Sequence, residues 1–399
     1  MKTNFFPLRK TQDKMPYKAD DVLVIFGEVF DRGYVNGLID EALAAKMKVI
    51  YATVGRRDST TQTLRTLTSE ELMAKGQSPL INIPLEAGFD MEVPPGGLSV
   101  CDQLKEYGLK GWEDAELDWD SINTAKQMGR DRFANATRQF LKELEAHIPP
   151  GANVLFAHTM AGGFPRAKVV MPIANRVFKG IGPRHLSSKM FWESEIGQLC
   201  AVSFEEVTAQ TFAILIEESA DVRTKIKAKG GKVSYLAYGY HGNEVYAAGK
   251  YNWYSYSPYL QGFAKIALEN HAIAAKENGI TATVFNVPEI LTNSSSIFLG
   301  VEVVLYPLLH ALKHENKNSA QLDQLLSKLQ QKLKPGTSVA DLLSVTDEYL
   351  NNSFVRDWCK FEGWPQHNGQ EQMELMINAS EKLIEMHIDT KNLITVDLS

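Results

Sequence analysis

The chain opens its first readable stretch with blocks of apolar residues rather than with single alternating positions. Val22-Leu-Val-Ile-Phe26 is apolar throughout, the pattern of a strand covered on both faces of a parallel sheet. An amphipathic stretch follows over residues 34–46, then a second buried run, Lys48-Val-Ile-Tyr-Ala-Thr-Val54. The three form a right-handed βαβ unit. Similar runs recur at Leu80-Ile-Asn-Ile-Pro-Leu85, Asn153-Val-Leu-Phe-Ala-His158, Lys232-Val-Ser-Tyr-Leu-Ala-Tyr238 and Thr281-Ala-Thr-Val-Phe-Asn286. Between them the pattern predicts a long helix over 120–147, stopped by Pro149-Pro-Gly151, and another over 203–229, ending at Gly230-Gly231. Residues 59–77 are polar and threonine-rich, and 86–119, with Pro94-Pro-Gly-Gly97, read as an irregular insertion. Beyond 299 the chain changes to helices at about 301–314, 320–333, 339–349 and 371–386.

Alternating strands and helices predict an α/β fold. The expected architecture is a Rossmann-like doubly wound parallel sheet, three-layer α/β/α, over residues 1–298, with a C-terminal helical extension, 299–399, packed on it. At 399 residues, 44% hydrophobic and 23% charged, the composition is that of an ordinary globular protein. The net charge of −6 comes with no basic stripe, so nucleic acid is not an expected partner. No apolar run approaches the ~18 residues of a membrane span, and the N-terminus has no signal-peptide pattern. Cys101, Cys200 and Cys359 are odd in number and far apart, which argues against a disulfide framework and fits a cytoplasmic protein. His310 and His314 stand four apart on a predicted helix, but no third ligand accompanies them, so helix surface is the expectation and no metal site is predicted.

Candidate chemistry concentrates in Tyr256-Ser-Pro-Tyr-Leu-Gln-Gly-Phe-Ala-Lys265, between the fifth and sixth predicted strands. A phenol titrates near ~10, so proton donation near neutral pH is helped by a neighbouring ammonium that favours the phenolate. Ser257 and Pro258 read as N-cap and first helical residue. That places Tyr256 in the approach loop, free to reach Lys265, whereas Tyr259 lies roughly 120° from Lys265 around the helix. The alternative is that this stretch, with Tyr251 and Tyr254, serves packing or an interface.

The first strand is followed by Gly27-Glu-Val-Phe-Asp-Arg-Gly33-Tyr-Val-Asn-Gly37. This is not Gly-x-Gly-x-x-Gly, yet it places small residues where backbone amides would approach a pyrophosphate. Gly27, Gly33, Tyr34 and Gly37 are the candidate binding residues. Glu28 and Asp31 would repel a pyrophosphate unless they point outward or pair with Arg32. After the second strand, Arg56 and Arg57 are placed to accept a 2′-phosphate, which favours NADPH slightly over NADH; the alternative is pairing with Asp58. Thr159 and Ala161, in the turn after the fourth strand, and Thr292, past the last, complete the expected cofactor contacts.

Taken together, these residues resemble the short-chain dehydrogenase/reductase superfamily, and within it the long trans-2-enoyl-ACP/CoA reductases. Most of the superfamily places three residues between tyrosine and lysine, and the common enoyl reductases place six; here those positions are Gln261 and Pro258. The long reductases place eight, as do Tyr256 and Lys265. The run Val233-Ser-Tyr-Leu-Ala-Tyr238 is similar to the strand that carries their second active-site tyrosine, which makes Tyr238 or Tyr235 that residue. Thr292-Asn-Ser-Ser-Ser296 through Tyr306-Pro307 is similar to their substrate-side segment, and Lys179-Gly-Ile-Gly182 to a stretch after their fourth strand. The resemblance covers about 20–315 and departs in the loop after the first strand, which is longer, acidic and aromatic. It implies an NAD(P)H-dependent reductase that delivers hydride to an enoyl thioester, carried on acyl carrier protein or coenzyme A. Tyr256 and Tyr238 would stabilise the enolate, Lys265 would hold the ribose, and a homo-oligomer is possible. A carbonyl reductase and a catalytically silent scaffold are the competing readings. No Gly-x-Ser-x-Gly elbow supports a hydrolase.

Overall fold

The computed structural model describes residues 17–31, 33–240, 243–247, 250–255, 262–286, 301–306, 309–310, 312–313, 319–353, 355 and 369–389. In chain order the elements begin with β1 (Val22–Phe26), α1 (Val35–Ala44), β2 (Lys48–Thr53), β3 (Arg56–Arg57), β4 (Leu64–Arg65), α2 (Ser69–Lys75), β5 (Leu80–Pro84), α3 (Val100–Gln103), α4 (Trp119–Leu144) and β6 (Val154–His158). They continue with α5 (Val170–Phe178), α6 (Ser188–Glu193), α7 (Glu195–Phe204), α8 (Thr211–Glu218), α9 (Ala220–Ala228), β7 (Val233–Gly239), β8 (Asn243–Ala247), β9 (Lys250–Ser255), α10 (Gly262–Glu277) and β10 (Thr281–Asn286).

All six strands expected from apolar runs enter one sheet, ordered β10-β7-β6-β1-β2-β5. Every neighbouring pair is parallel. Counted along the chain this is the order 3-2-1-4-5-6 of a doubly wound dinucleotide-binding sheet, which reverses direction between β1 and β6 and opens its crevice there. The unbroken apolar runs have a simple cause: both faces are covered. Leu23, Ile25, Val49, Leu155 and Ala157 pack with Val35, Ile39 and Ala42 of α1. On the opposite face Val22, Val24, Phe26, Ile50, Val154 and Phe156 pack with residues of α4, α8, α9 and α10, among them Phe140, Phe212, Ile226 and Leu268. All five residues of β1 are fully buried, and each such side chain contributes roughly 1.5–3 kcal/mol of transfer free energy.

Two expectations are revised. The helix predicted over 203–229 is interrupted by a π-helical turn, Glu205–Gln210, and by a break at Ser219, between α8 and α9. Hydroxyls on this stretch compete for main-chain carbonyls: Thr211 donates to Val207 (2.7 Å) and Ser219 to Leu215 (2.6 Å). The continuous helical segment Glu195–Glu218, 24 residues with mean hydropathy 1.4 in its most apolar window, is long and apolar enough to cross a membrane by composition alone. With 61% of that window buried, it is accounted for as a core helix.

The chain divides into two compact units. One holds the described residues of Met1–Val170, Leu199–Gly239 and Phe263–Asn286, and so carries the whole sheet. The other draws on the described residues of three separate stretches, Met171–Gln198, Tyr240–Gly262 and Val287–Ser399. Within it β8 and β9 form an antiparallel hairpin, and helices Val301–Leu305, Val339–Leu350 and Gln370–Glu385 pack on one another. Tyr306 and His387 are buried there as a hydrogen-bonded pair, hydroxyl to Nε2, at 2.7 Å. His310 lies 3.3 Å from the Asp347 carboxylate, and His314 lies outside the described residues.

Candidate active site

The crevice is built from the loops that follow β1 and β6, whose last residues, Phe26 and His158, are register partners. Directly after β1, Gly27 takes φ +132°, and a Cβ there would stand 2.4 Å from Thr159 Oγ1 and 3.3 Å from the Met160 amide nitrogen. Only glycine fits, because the backbone angle and the approach of the β6 loop both exclude a side chain. Gly27→Ala is expected to cost on the order of 2 kcal/mol and to weaken nucleotide binding, read from a melting curve and a titration on one sample. An unchanged melting temperature would show that the two loops can separate without loss. Gly33 differs, since a Cβ there would meet only the Phe30 carbonyl at 3.7 Å, and Gly37 lies inside α1.

The long, acidic loop is held by its own residues. Asn36 Nδ2 donates to the carbonyls of Phe30 (2.9 Å) and Asp31 (3.3 Å). Tyr34 is the N-cap of α1, which has no side-chain cap and no carboxylate in its first turn. The positive end of that helix thus has no carboxylate of its own first turn against it, which suits an anion. A dinucleotide fits this cradle: a side-chain-free turn at Gly27 beside an uncapped helix N-terminus.

Glu28 is committed to two cations. Its carboxylate accepts from Arg56 at 2.9 and 3.3 Å and pairs with Lys75 at the end of α2. Burial alone would raise this carboxyl, but hydrogen bonds from Arg56 and Lys75 outweigh it and hold the group below its ordinary value. Arg57 is engaged by Glu86, Nε to Oε1 at 2.8 Å. Asp58 accepts instead from the Thr60 and Thr61 amides in its own turn. Both arginines therefore have carboxylate partners more than 25 positions away in sequence, and neither partner is the neighbouring aspartate.

Glu86 and Asp90 belong to a network that the sequence did not disclose. Arg166 donates to Asp90 through its amide (2.7 Å) and Nε (2.9 Å). Arg132 reaches Glu92 (2.8 Å) and the carbonyls of Glu86 (2.6 Å) and Gly88 (2.7 Å). The loop after β5 is thereby tied to α4 and to the segment after β6. Gly162 and Gly163, both at positive φ, continue that segment. A Cβ at Gly163 would meet Phe204 Cα at 2.6 Å, and Thr208 of the π-helical turn donates to the Gly162 carbonyl at 3.0 Å.

Lys265 lies in the first turn of α10, only 5% exposed, and its Nζ donates to the Tyr238 carbonyl at the end of β7 at 2.7 Å. Burial lowers its pKa to about 8. His158, also buried, shares a 2.8 Å hydrogen bond with Thr211, and burial with the nearby Lys265 charge depresses it to about 3, so it stays neutral. The two candidate tyrosines of β7 face opposite sides of the sheet. Tyr235 is 1% exposed, stacked on Phe156, and bonded through its hydroxyl to Ser219 (2.6 Å) and Arg223 (2.7 Å). Tyr238 stacks on Tyr34 with ring centroids 6.0 Å apart, and burial raises its hydroxyl above the ordinary phenol value. The structure thus gathers Gly27, Tyr34, Thr159, Tyr238 and Lys265 around the C-terminal ends of β1, β6 and β7. Ala161 is exposed in the loop after β6, while Tyr256 and Thr292 lie outside the described residues.

The family model for the enoyl-acyl carrier protein reductase FabMG matches residues 4–399. The chain belongs to that family. It is similar to a solved apo structure of FabMG, described as a novel type of enoyl-acyl carrier protein reductase, at 44% identity over 100% of this chain and 90% of that one, with a TM-score of 0.91. It is also similar to an NADH-bound structure of FabMG at 38% identity, over 99% of this chain and 89% of that one, with a TM-score of 0.71. No curated protein sequence matches it. Membership of the FabMG family makes the protein an oxidoreductase of enoyl groups and sets aside the scaffold reading. The enoyl-reductase resemblance carried by Tyr256 and Lys265 holds at the level of the family.

Proposed function

We propose that the protein reduces the 2,3-double bond of an enoyl group presented on acyl carrier protein, taking hydride from NADH, with tyrosine hydroxyls stabilising the enolate oxygen. The observation that carries this reading is Lys265, a buried amine at the end of β7, next to a crevice whose Gly27 turn and uncapped α1 terminus suit a pyrophosphate. A nicotinamide held there would supply hydride to the β-carbon. As negative charge then develops on the thioester oxygen, the hydroxyls of Tyr256 and Tyr238 donate to it. Burial keeps Tyr238 protonated near neutral pH and therefore a donor. Lys265 holds the cofactor ribose and biases the Tyr256 phenol toward releasing its proton. Tyr235 is committed to Ser219 and Arg223, which favours Tyr238 as the second tyrosine. NADH is favoured over NADPH because Arg56 and Arg57 already hold carboxylates, and because a FabMG relative has been solved with NADH.

The test is loss of nicotinamide absorbance when the purified protein meets a trans-2-enoyl group on carrier protein, on coenzyme A, or a simple ketone. Turnover with the carrier-bound substrate and NADH is expected, with a lower kcat/KM on coenzyme A. Turnover of the ketone alone would reject the enoyl reading in favour of a carbonyl reductase.

A further inference from the structure

We infer that Glu28 sets the preference between NADH and NADPH by occupying the cations that would otherwise receive a 2′-phosphate. This rests on the nucleotide reading above. Three parts of the chain converge here: Glu28 comes from the turn after β1, Arg56 from the start of β3 just past β2, and Lys75 from the last turn of α2. The Glu28 side chain is 7% exposed, whereas Arg56 is 40% and Lys75 15% exposed. The carboxylate is thus the innermost member, with the two cations closed over it. Its partners are held from behind. Arg56 also donates to the Gly55 carbonyl at 2.6 Å, and α2 is fixed by a capping box between Thr68 and Glu71 and by the left-handed Gly76 that ends it.

The consequence follows from charge. A 2′-phosphate brings nearly two negative charges and needs charge-assisted hydrogen bonds from arginine or lysine. In this chain both terminal guanidinium nitrogens of Arg56 donate to Glu28, and Lys75 pairs with the same carboxylate, so a buried anion already compensates their charge. A phosphate arriving at the end of β2 would have to displace a buried anion or stand beside it. A ribose with a free 2′-hydroxyl brings no charge to the site and so needs neither cation released from Glu28. In sheets of this type the acid that reads the ribose usually follows the second strand. Here that position holds arginine, and the acid is supplied by the loop after the first strand. The acidic loop that breaks the glycine fingerprint and the arginine that signalled NADPH are thus two halves of one device.

The experiment compares wild type, Glu28→Gln and Glu28→Gln with Arg56→Ala in fluorescence and calorimetric titrations with NADH, NADPH, 5′-AMP and 2′,5′-ADP. Wild type is expected to bind NADH more tightly than NADPH. Glu28→Gln keeps the shape and removes the charge, so the ratio of Kd for NADPH to Kd for NADH should fall about tenfold or more, the worth of one charge-assisted contact. The 2′,5′-ADP to 5′-AMP ratio should fall in parallel, and Arg56→Ala should reverse both. An unchanged ratio in a Glu28→Gln protein that still binds NADH overturns the inference and leaves the nucleotide site standing. Wild type that binds neither dinucleotide overturns the nucleotide reading and the inference with it. Should Glu28→Gln not fold, Lys75→Met removes one cation from outside, and a NADPH preference unmoved or improved by it is the overturning result.

Discussion

Replacing Lys265 by methionine is expected to lower kcat/KM at least about a hundredfold while making the apoprotein more stable at pH 7. The two effects have one origin. Lys265 is buried, and burial lowers its pKa from 10.5 to about 8. Between those values the unfolded chain binds the proton more tightly than the folded one, so stability rises with pH across the window from about 8 to 10.5 and the penalty is complete below about 8. Its size is on the order of 3 kcal/mol. Methionine removes it and gives up the bond to the Tyr238 carbonyl, about 1 kcal/mol. The variant should therefore gain roughly 2 kcal/mol at pH 7 and lose that advantage above about pH 10.5. Chemical denaturation at both pH values, beside an activity assay, reads the result. A methionine variant less stable than wild type at pH 7 would mean that the folded site favours the ammonium.

Tyr256→Phe is expected to lower kcat by roughly 10²–10⁴, the range for loss of a positioned proton donor, with the Kd for NADH little changed. Tyr235→Phe should do the reverse. Its hydroxyl is the shared partner of Ser219 and Arg223 in the core, so its removal should cost about 1–3 kcal/mol of stability and leave turnover near wild type. Tyr238→Phe belongs with Tyr256 in sign and should be milder, since one hydroxyl would still reach the enolate oxygen. Activity retained in Tyr256→Phe but lost in Tyr235→Phe would invert the assignment and place the chemistry on the other face of β7.

The strands were legible because burial on both faces leaves a period-free apolar run, and every such run in this chain became a strand of the sheet. Lys265 was legible for a related reason: a lysine just inside a helix between two core strands must end near their C-terminal edge. What stayed hidden was pairing between residues distant in sequence. For Arg56 the sequence offered a phosphate or the neighbouring Asp58, and for Glu28 the neighbouring Arg32, yet each is the other's partner. The network of Arg132, Arg166, Glu86 and Asp90 spans up to 80 positions and leaves no local trace. The hairpin of β8 and β9 was passed over, since Tyr251 and Tyr254 of its second strand were weighed only as packing or interface residues. Gly163 could have been suspected from the glycine pair after β6, but the approach of Phe204 that makes it necessary is tertiary.

The second unit leaves the sheet unit three times, after β6, after β7 and after β10. On a growing chain this has a cost in time. β5, β2, β1 and β6 are adjacent in the finished sheet and all are synthesised by residue 158, whereas β7 begins only at Val233. For that interval β6 presents an unpaired edge, Val-Leu-Phe-Ala-His, apolar but for its last residue, of the kind that recruits other chains. Substitutions within 171–198 will therefore register first in the yield of soluble protein, before they register in the melting temperature of the molecules that have folded.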